Sequence, residues 1–150
     1  MALGSRVAVF WDYENVRVPT TVAGNAISGN IREVARAYGS VSLFRAYIDH
    51  DEMSSVKSNA HRSALQMSGV TLVDCPHNGR KDVADKMMIV DMLAFAFESP
   101  TPATIVLISG DCDFSYAVST LRLRGHEVIL IAPKASSLSI KSVSSLVVDW

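Results

Sequence analysis

Short runs of β-branched and apolar residues alternate with segments of helical periodicity along the whole chain. The predicted strands are Val7–Trp11, Ser42–Ile48, Thr71–Asp74, Ile105–Ser109, Val128–Ala132 and a weaker Leu146–Val148. The predicted helices are Thr20–Ala37, Ser54–Met67, Asp82–Phe97 and Phe114–Leu123. The serine-rich stretch "PKASSLSIKSVSS" that follows the fifth strand is compatible with a final loop or helix.

The strands are too apolar for a sheet that has one face in water. Stretches such as "TIVLIS" and "EVILIA" contain no alternation, which is typical of parallel strands covered on both faces. Gly39, Gly69 and Gly125 follow three helices where a left-handed cap is expected. Regular strand–helix alternation therefore predicts an α/β fold, a three-layer α/β/α sandwich with a mostly parallel, Rossmann-like sheet. We expect residues 1–150 to form a single domain.

Composition narrows the class of protein. Hydrophobic residues make up 49% of the chain and charged residues 19%, which indicates a globular domain. The formal net charge of -1 argues against binding long nucleic acid by bulk charge. Any nucleic acid would be bound locally, or with help from other domains of a longer protein.

Cysteine usage and hydropathy suggest a compartment. Cys75 and Cys112 fit neither a CxxC motif nor a disulfide framework, so we expect two reduced thiols. Met1–Arg6 has no apolar segment of a signal peptide. The longest apolar stretch, Met87–Phe97, is interrupted by Asp91 and is shorter than the ~20 residues of a membrane span. We expect an intracellular protein, cytoplasmic or nuclear, without membrane association.

Acidic residues stand just after strands, where open parallel sheets bind their ligands. Asp12 follows the first strand, and "SGDCDF" places Asp111 and Asp113 after the fourth. If those strands are neighbours, their ends lie roughly 5 Å apart. Asp85 opens the third helix near the same edge. Clustered carboxylates repel unless a cation neutralises them, and this oxygen-rich set suits Mg²⁺ or Mn²⁺.

The acids of the third helix have structural alternatives. Asp82 at the helix start is suited to capping. Asp85 lies one turn further on the same face, where capping does not account for it. Asp91 is rotated by about 120° from Asp85, and its apolar neighbours predict a buried, hydrogen-bonded structural role.

Two interpretations of Asp113 stay open. Asp113 precedes a helix and is a candidate N-cap, a role that still permits a water-mediated metal contact. Asp111 then has no capping role to explain it. Gly110 before it allows an unusual backbone at the strand end.

Taken together, "FWDYEN", "KDVADKMMIVD" and "SGDCDF" resemble the NYN domain, a branch of the PIN-like nuclease superfamily. The resemblance covers essentially the whole chain in the right order. It implies a metal-dependent endoribonuclease that hydrolyses single-stranded or structured RNA with Mg²⁺ or Mn²⁺. The chemistry would be metal-assisted phosphodiester hydrolysis without a protein nucleophile.

The resemblance also implies roles for individual residues. The catalytic and metal-binding set would be Asp12, Asp85, Asp111 and Asp113. Asn15 would position metal or phosphate, and Asp91 matches a further family acid. Asp82 stands where many relatives carry a small residue, so either Asp82 or Asp85 could face the metal. We favour Asp85.

Loop residues near this edge are candidate contacts to RNA. The expected phosphate and substrate contacts are Arg80, Lys81, Arg17 and Ser109. Each basic residue is also compatible with a simple exposed turn. His77 either touches substrate or is solvated, and Glu14 either braces its loop or faces water. Trp11 is expected to pack in the interior and not to stack on a base. For Tyr13 the choice between these two roles is undecided.

Other classes of function fit less well. A degenerate NYN module that binds RNA or a protein partner without cleaving remains an alternative. A receiver domain or aspartyl phosphotransferase is a third, although "WDYEN" lacks the DxD of the phosphotransferase. The chain has no GxxxxGK[ST], which excludes a P-loop nucleotidase, and no GxGxxG, which weakens a dinucleotide-binding domain.

Overall fold

The computed structural model describes residues 5–19, 21–51, 56–80 and 82–150, with the backbone alone at 56–58. Its strands are β1 (Arg6–Asp12), β2 (Ser40–Ile48), β3 (Thr71–Asp74), β4 (Thr104–Ile108), β5 (Glu127–Ala132) and β6 (Leu146–Asp149). Its helices are α1 (Gly24–Arg36), α2 (Val56–Met67), α3 (Val83–Glu98), α4 (Ser115–Leu123) and α5 (Leu138–Val143). A 3-10 turn at Cys112–Phe114 precedes α4.

The six strands form one parallel sheet in the order β3-β2-β1-β4-β5-β6. The chain builds outward from β1 to β3, then returns to the centre and builds outward again from β4 to β6. The strand order therefore reverses between β1 and β4, and all carboxyl ends lie on one edge. The predicted α/β fold with a parallel sheet is confirmed.

Helices cover both faces of the sheet, and each face has its own apolar core. Phe10 and Leu107 pack with Met88 of α3 and Phe114 on one side. Trp11 packs on the other side with residues of α1 and α2. Successive β1 residues enter opposite cores, as the period of a strand requires. Burial on both faces explains the continuous apolar runs.

Helices α2 and α4 end just before predicted glycines, but not every helix begins where the sequence predicts. Gly69 and Gly125 have φ of 99° and 91°, so the predicted left-handed caps are present. The predicted start of the first helix at Thr20 lies outside the described residues. Residues 21–23 are not helical, and α1 begins at Gly24.

The remaining differences concern chain segments outside the sheet. The predicted second-helix start at Ser54 lies outside the described residues. The serine-rich stretch forms the short helix α5, where Ser137 caps by accepting the Ser139 N–H at 3.2 Å. Within the described ranges, no helix is long and apolar enough to cross a membrane. Cys75 and Cys112 are both free thiols.

Candidate metal centre

Asp12, the last residue of β1, has a fully buried side chain. Its Oδ2 accepts hydrogen bonds from Asn15 Nδ2 at 2.7 Å and from Ser109 Oγ at 3.0 Å. Its Oδ1 is also buried, and no donor among the described residues reaches it. Burial raises the pKa of Asp12, while the hydrogen bonds from Asn15 and Ser109 oppose that rise. One oxygen of this carboxylate is therefore desolvated without a donor among the described residues, an unfavourable state that either a proton or a cationic ligand would relieve.

The end of β4 is shaped around Ser109. Besides donating to Asp12, the Ser109 hydroxyl accepts the Asp111 N–H at 3.1 Å. Asp111 Oδ1 in turn accepts the Asp113 N–H at 2.9 Å. Asp111 is thus the cap of the 3-10 turn, which corrects the expectation that Asp113 would serve as a helix cap. Asp113 is exposed.

Gly110 is required for a different reason from the one predicted. Its φ lies outside the left-handed region, so no unusual backbone explains the glycine. A Cβ at this position would stand 2.2 Å from Ser136 Oγ and 2.9 Å from Ser136 Cβ. A side chain here would therefore require Ser136 in the loop after β5 to move.

Asp85 faces the carboxylates of the two central strands. Its pKa is raised to about 7, first by burial and then by the negative charges of Asp12 and Asp111. A hydrogen bond with Asp111 and the charge of Asp113 add to the rise. Because three other carboxylates raise the pKa of Asp85, the four acids form one electrostatic cluster. Its members are Asp12, Asp85, Asp111 and Asp113.

Asp82, by contrast, takes no part in this cluster. It occupies the N-cap position of α3, but its side chain makes no capping hydrogen bond. Instead it pairs with Lys86 Nζ at 3.0 Å, and that hydrogen bond lowers its pKa. Of the two alternatives, Asp85 and not Asp82 is influenced by the charges of Asp12 and Asp111.

Asp111, Cys112 and Asp113 bring their donor atoms within 4.8 Å of one another. The exposed Cys112 thiol lies between the two acids in the chain. Carboxylate oxygens suit hard divalent cations, whereas a thiol contributes little to binding Mg²⁺. The donor set around Asp12 is therefore oxygen-based.

Asp91, which is partly buried, makes its contacts elsewhere. Its Oδ2 accepts the Tyr47 hydroxyl at 2.6 Å and lies 3.5 Å from Arg45 Nη1. Burial, and next this hydrogen bond, raise the pKa of Tyr47. Asp91 thus ties α3 to β2, as expected of a structural residue.

The predicted substrate contacts divide into exposed and buried groups. Arg17 and Arg80 are exposed, whereas Lys81 lies outside the described residues. Ser109 is fully buried, and its hydroxyl is engaged by Asp12 and Asp111. Ser109 therefore supports Asp12 in this structure, and its contact with substrate stays a prediction. Tyr13, for which the sequence left packing and base stacking undecided, is buried against Trp11 with ring centroids 5.0 Å apart.

A second polar cluster joins the loops after β1, β2 and β3, and sequence reasoning missed it. Both carboxylate oxygens of Glu14 lie 2.8–2.9 Å from His77 Nε2. The His77 N–H donates to Asp49 Oδ2 at 3.2 Å, and Asp49 Oδ1 accepts the Asp51 N–H at 3.0 Å. Glu14 therefore braces its loop instead of facing water. Glu14, Asp49 and His77 each follow the end of a strand closely, and this position is the feature of the sequence that could have indicated the cluster.

The fold and the site together define a doubly wound α/β domain with a cluster of acidic residues at the switch point of its sheet. The NYN domain model matches residues 6–148, and the chain belongs to this family. Membership confirms the resemblance drawn from the three acidic motifs.

Curated relatives and one solved structure are similar to most of this chain. The chain is 29% identical over 135 residues to meiosis regulator and mRNA stability factor 1 of Gallus gallus and 28% identical to that of Bos taurus. Each match covers 87% of this chain but spans only 7% of the relative's length. A protein of unknown function from Vibrio parahaemolyticus has the same fold, with a TM-score of 0.77 at 19% identity. That similarity covers 97% of this chain and 93% of the other.

Proposed function

We propose that this domain is a metal-dependent endoribonuclease that hydrolyses RNA phosphodiester bonds at the Asp12 cluster. The observation that carries the proposal is the buried Asp12 carboxylate, whose Oδ1 has no donor among the described residues. Three further carboxylates, Asp85, Asp111 and Asp113, act on the same region. Such an arrangement is unfavourable in an empty protein and favourable around a divalent cation.

Asp12, Asp85, Asp111 and Asp113 would hold the cation, and their oxygen donors fit Mg²⁺ or Mn²⁺. When bound, such an ion supplies Lewis acidity toward water and phosphate and neutralises developing charge. Asn15 and Ser109 orient Asp12 by occupying Oδ2, which leaves Oδ1 for the ion. The raised pKa of Asp85 means that cation and proton compete for this carboxylate near pH 7.

RNA is the substrate that the family and the relatives favour. NYN membership implies nuclease chemistry, and the relatives are mRNA stability factors by name. Arg17 and Arg80 are exposed on the loops after β1 and β3, where cationic side chains would contact phosphates. An RNA-directed role supports a cytoplasmic or nuclear location. Other parts of a longer protein would then supply target choice.

A cleavage assay tests the proposal. The purified domain is incubated with 5′-labelled single-stranded RNA in Mg²⁺ or Mn²⁺, with EDTA as the control. Asp12→Asn should abolish cleavage because it removes the negative charge of the one fully buried carboxylate in the cluster. Asp149→Asn is the matched control, since it alters an exposed acid at the end of the outer strand β6.

Each outcome separates the candidate functions. Metal-dependent cleavage that is lost in Asp12→Asn but kept in Asp149→Asn supports the nuclease. RNA binding without cleavage at high protein concentration would instead identify a non-cleaving NYN module. Cleavage that survives Asp12→Asn would assign the activity to a contaminant or to another site.

A further inference from the structure

Helix α3 is apolar on its outer face as well as on the face that packs against the sheet. Met88 and Met92 are fully buried in the core, as expected of the inner face. On the outer side, however, Phe97 is 92% exposed, Val90 64% and Leu93 38%. A helix that is apolar all round is normally covered on every side. The outer face of α3 therefore has the character of an interface.

These exposed residues form one continuous stripe. Val90, Leu93 and Phe97 are spaced by three and four residues, so they project from the same side of the helix. Ala94, also exposed, lies beside them and allows another helix to approach closely. Spacings of three and four are those by which one helix packs into the grooves of another.

Charges at the two ends of the stripe indicate what covers it. Lys86 lies toward the N-terminal end, where it pairs with Asp82 at 3.0 Å and still has its side chain 70% exposed. The exposed Glu98 ends the helix. A second α3 running antiparallel, and centred near Met92, would bring Lys86 of each copy opposite Glu98 of the other. The same register places Phe97 level with Met87 and Val90 level with Ala94, so these two large residues meet a flexible and a small one. It places Leu93 level with Asp91, whose carboxylate contacts Tyr47 and Arg45 of the same chain.

We propose that α3 packs antiparallel against α3 of a second copy of this chain, forming a twofold symmetric dimer. In such a dimer, one stripe serves both partners and each end contributes one Lys86–Glu98 pair. The pairs would specify register and orientation, while Val90, Leu93 and Phe97 would supply the buried apolar area. The proposal goes beyond the nuclease assignment and does not depend on it.

Sedimentation equilibrium on the 150-residue chain tests the dimer directly. We expect a concentration-dependent monomer–dimer equilibrium for the unaltered protein below about 500 μM. Phe97→Glu should weaken dimerisation by more than about tenfold, because it places a charge in the apolar stripe. Leu138→Glu is the matched control: Leu138 is 80% exposed but lies on α5, outside the stripe. Circular dichroism verifies that each variant is folded.

A charge exchange tests the register itself. Lys86→Glu alone brings two acidic side chains together at each end of the stripe, and Glu98→Lys alone brings two basic ones together. Each variant should therefore dimerise less well by about tenfold. An equimolar mixture of the two variants restores both opposite-charge pairs and should form heterodimers. A parallel arrangement would already place like charges together in the unaltered protein, so it predicts no loss in either single variant.

The results that would overturn the proposal are equally defined. A monomer at about 500 μM, or equal effects of Phe97→Glu and Leu138→Glu, would exclude this interface. A mixture of the two charge variants that stays as monomeric as either alone would exclude the antiparallel register. Because the readout is molecular mass, loss or absence of nuclease activity would not affect the conclusion.

Discussion

Replacing Asp85 by asparagine should stabilise the metal-free protein while it removes metal binding. The asparagine side chain has nearly the shape of aspartate but no charge. In the absence of a cation, the ionised Asp85 is opposed by burial and by the charges of Asp12 and Asp111. The substitution removes that unfavourable ionisation and, with it, a carboxylate proposed to hold the ion.

The magnitude follows from the pKa of Asp85. A carboxyl whose pKa is about 7 instead of 3.8 carries a cost of about 4 kcal/mol when it is ionised in a fully buried site. Asp85 is only partly buried, so solvent screening reduces this cost to about 2 kcal/mol. For a chain of this size, that corresponds to a rise in Tm of about 4–8 °C in Asp85→Asn.

The pH dependence of this difference has a definite sign. Below pH 3.8 the carboxyl is protonated in both the folded and the unfolded state, so the cost of ionisation is absent. Between pH 3.8 and about 7 the unfolded state ionises first, and the unaltered protein loses stability as pH rises. Above pH 7 the cost is complete, so the variant's advantage should be largest near pH 8.

Thermal denaturation in EDTA at several pH values measures the effect, with Asp82→Asn as the control. Asp82 is exposed and pairs with Lys86, so its replacement should change stability by less than about 0.5 kcal/mol. Added Mg²⁺ or Mn²⁺ should stabilise the unaltered protein by about 1.4 kcal/mol at ten times the Kd and leave Asp85→Asn unchanged. An Asp85→Asn variant that is less stable than the parent at pH 8 in EDTA would refute the reasoning.

Three further substitutions test contacts around the centre by urea denaturation. Ser109→Ala should lower the free energy of unfolding by about 1–2 kcal/mol, because the hydroxyl donates one hydrogen bond to Asp12 and accepts another from the Asp111 N–H. An unchanged denaturation midpoint would contradict these two bonds. Tyr47→Phe should lower the free energy of unfolding by about 1 kcal/mol, since Asp91 loses its 2.6 Å hydrogen bond; the loss should disappear in an Asp91→Ala background, which has no acceptor, unless the two residues are uncoupled. Gly110→Ala should lower the free energy of unfolding by about 1–3 kcal/mol, because the added Cβ overpacks against Ser136. Adding Ser136→Gly should restore most of the lost stability.

The fold and the strand-end acids were predictable because they depend on local patterns. Parallel strands buried on both faces leave continuous apolar runs, so the end of each run is visible. Asp12 and Asp111 follow such ends directly, and the doubly wound order places them on neighbouring strands. Helical periodicity predicted the face of α3 on which Asp85 lies, and it placed Asp91 on a different face of the same helix.

The hydrogen-bond partners were not predictable because they depend on tertiary contacts. Ser109 was visible only as a polar residue at a strand end, whereas its role comes from Asp12, which is 97 residues away in the chain. The requirement for Gly110 comes from Ser136 in another loop. Glu14 and His77 are 63 residues apart, and no pattern in one sequence pairs them.

The two polar clusters have complementary roles in the proposed enzyme. Around Asp12, like charges accumulate without a compensating cation among the described contacts, so the arrangement is stable only with a ligand or a proton. Around His77, Glu14 and Asp49 hold the ring and backbone of the loop that leads into α3. That loop carries Arg80 and precedes Asp85. These contacts join the loops after β1, β2 and β3 beside the Asp12 cluster, and so oppose a separation of those loops that would relieve the repulsion between the carboxylates.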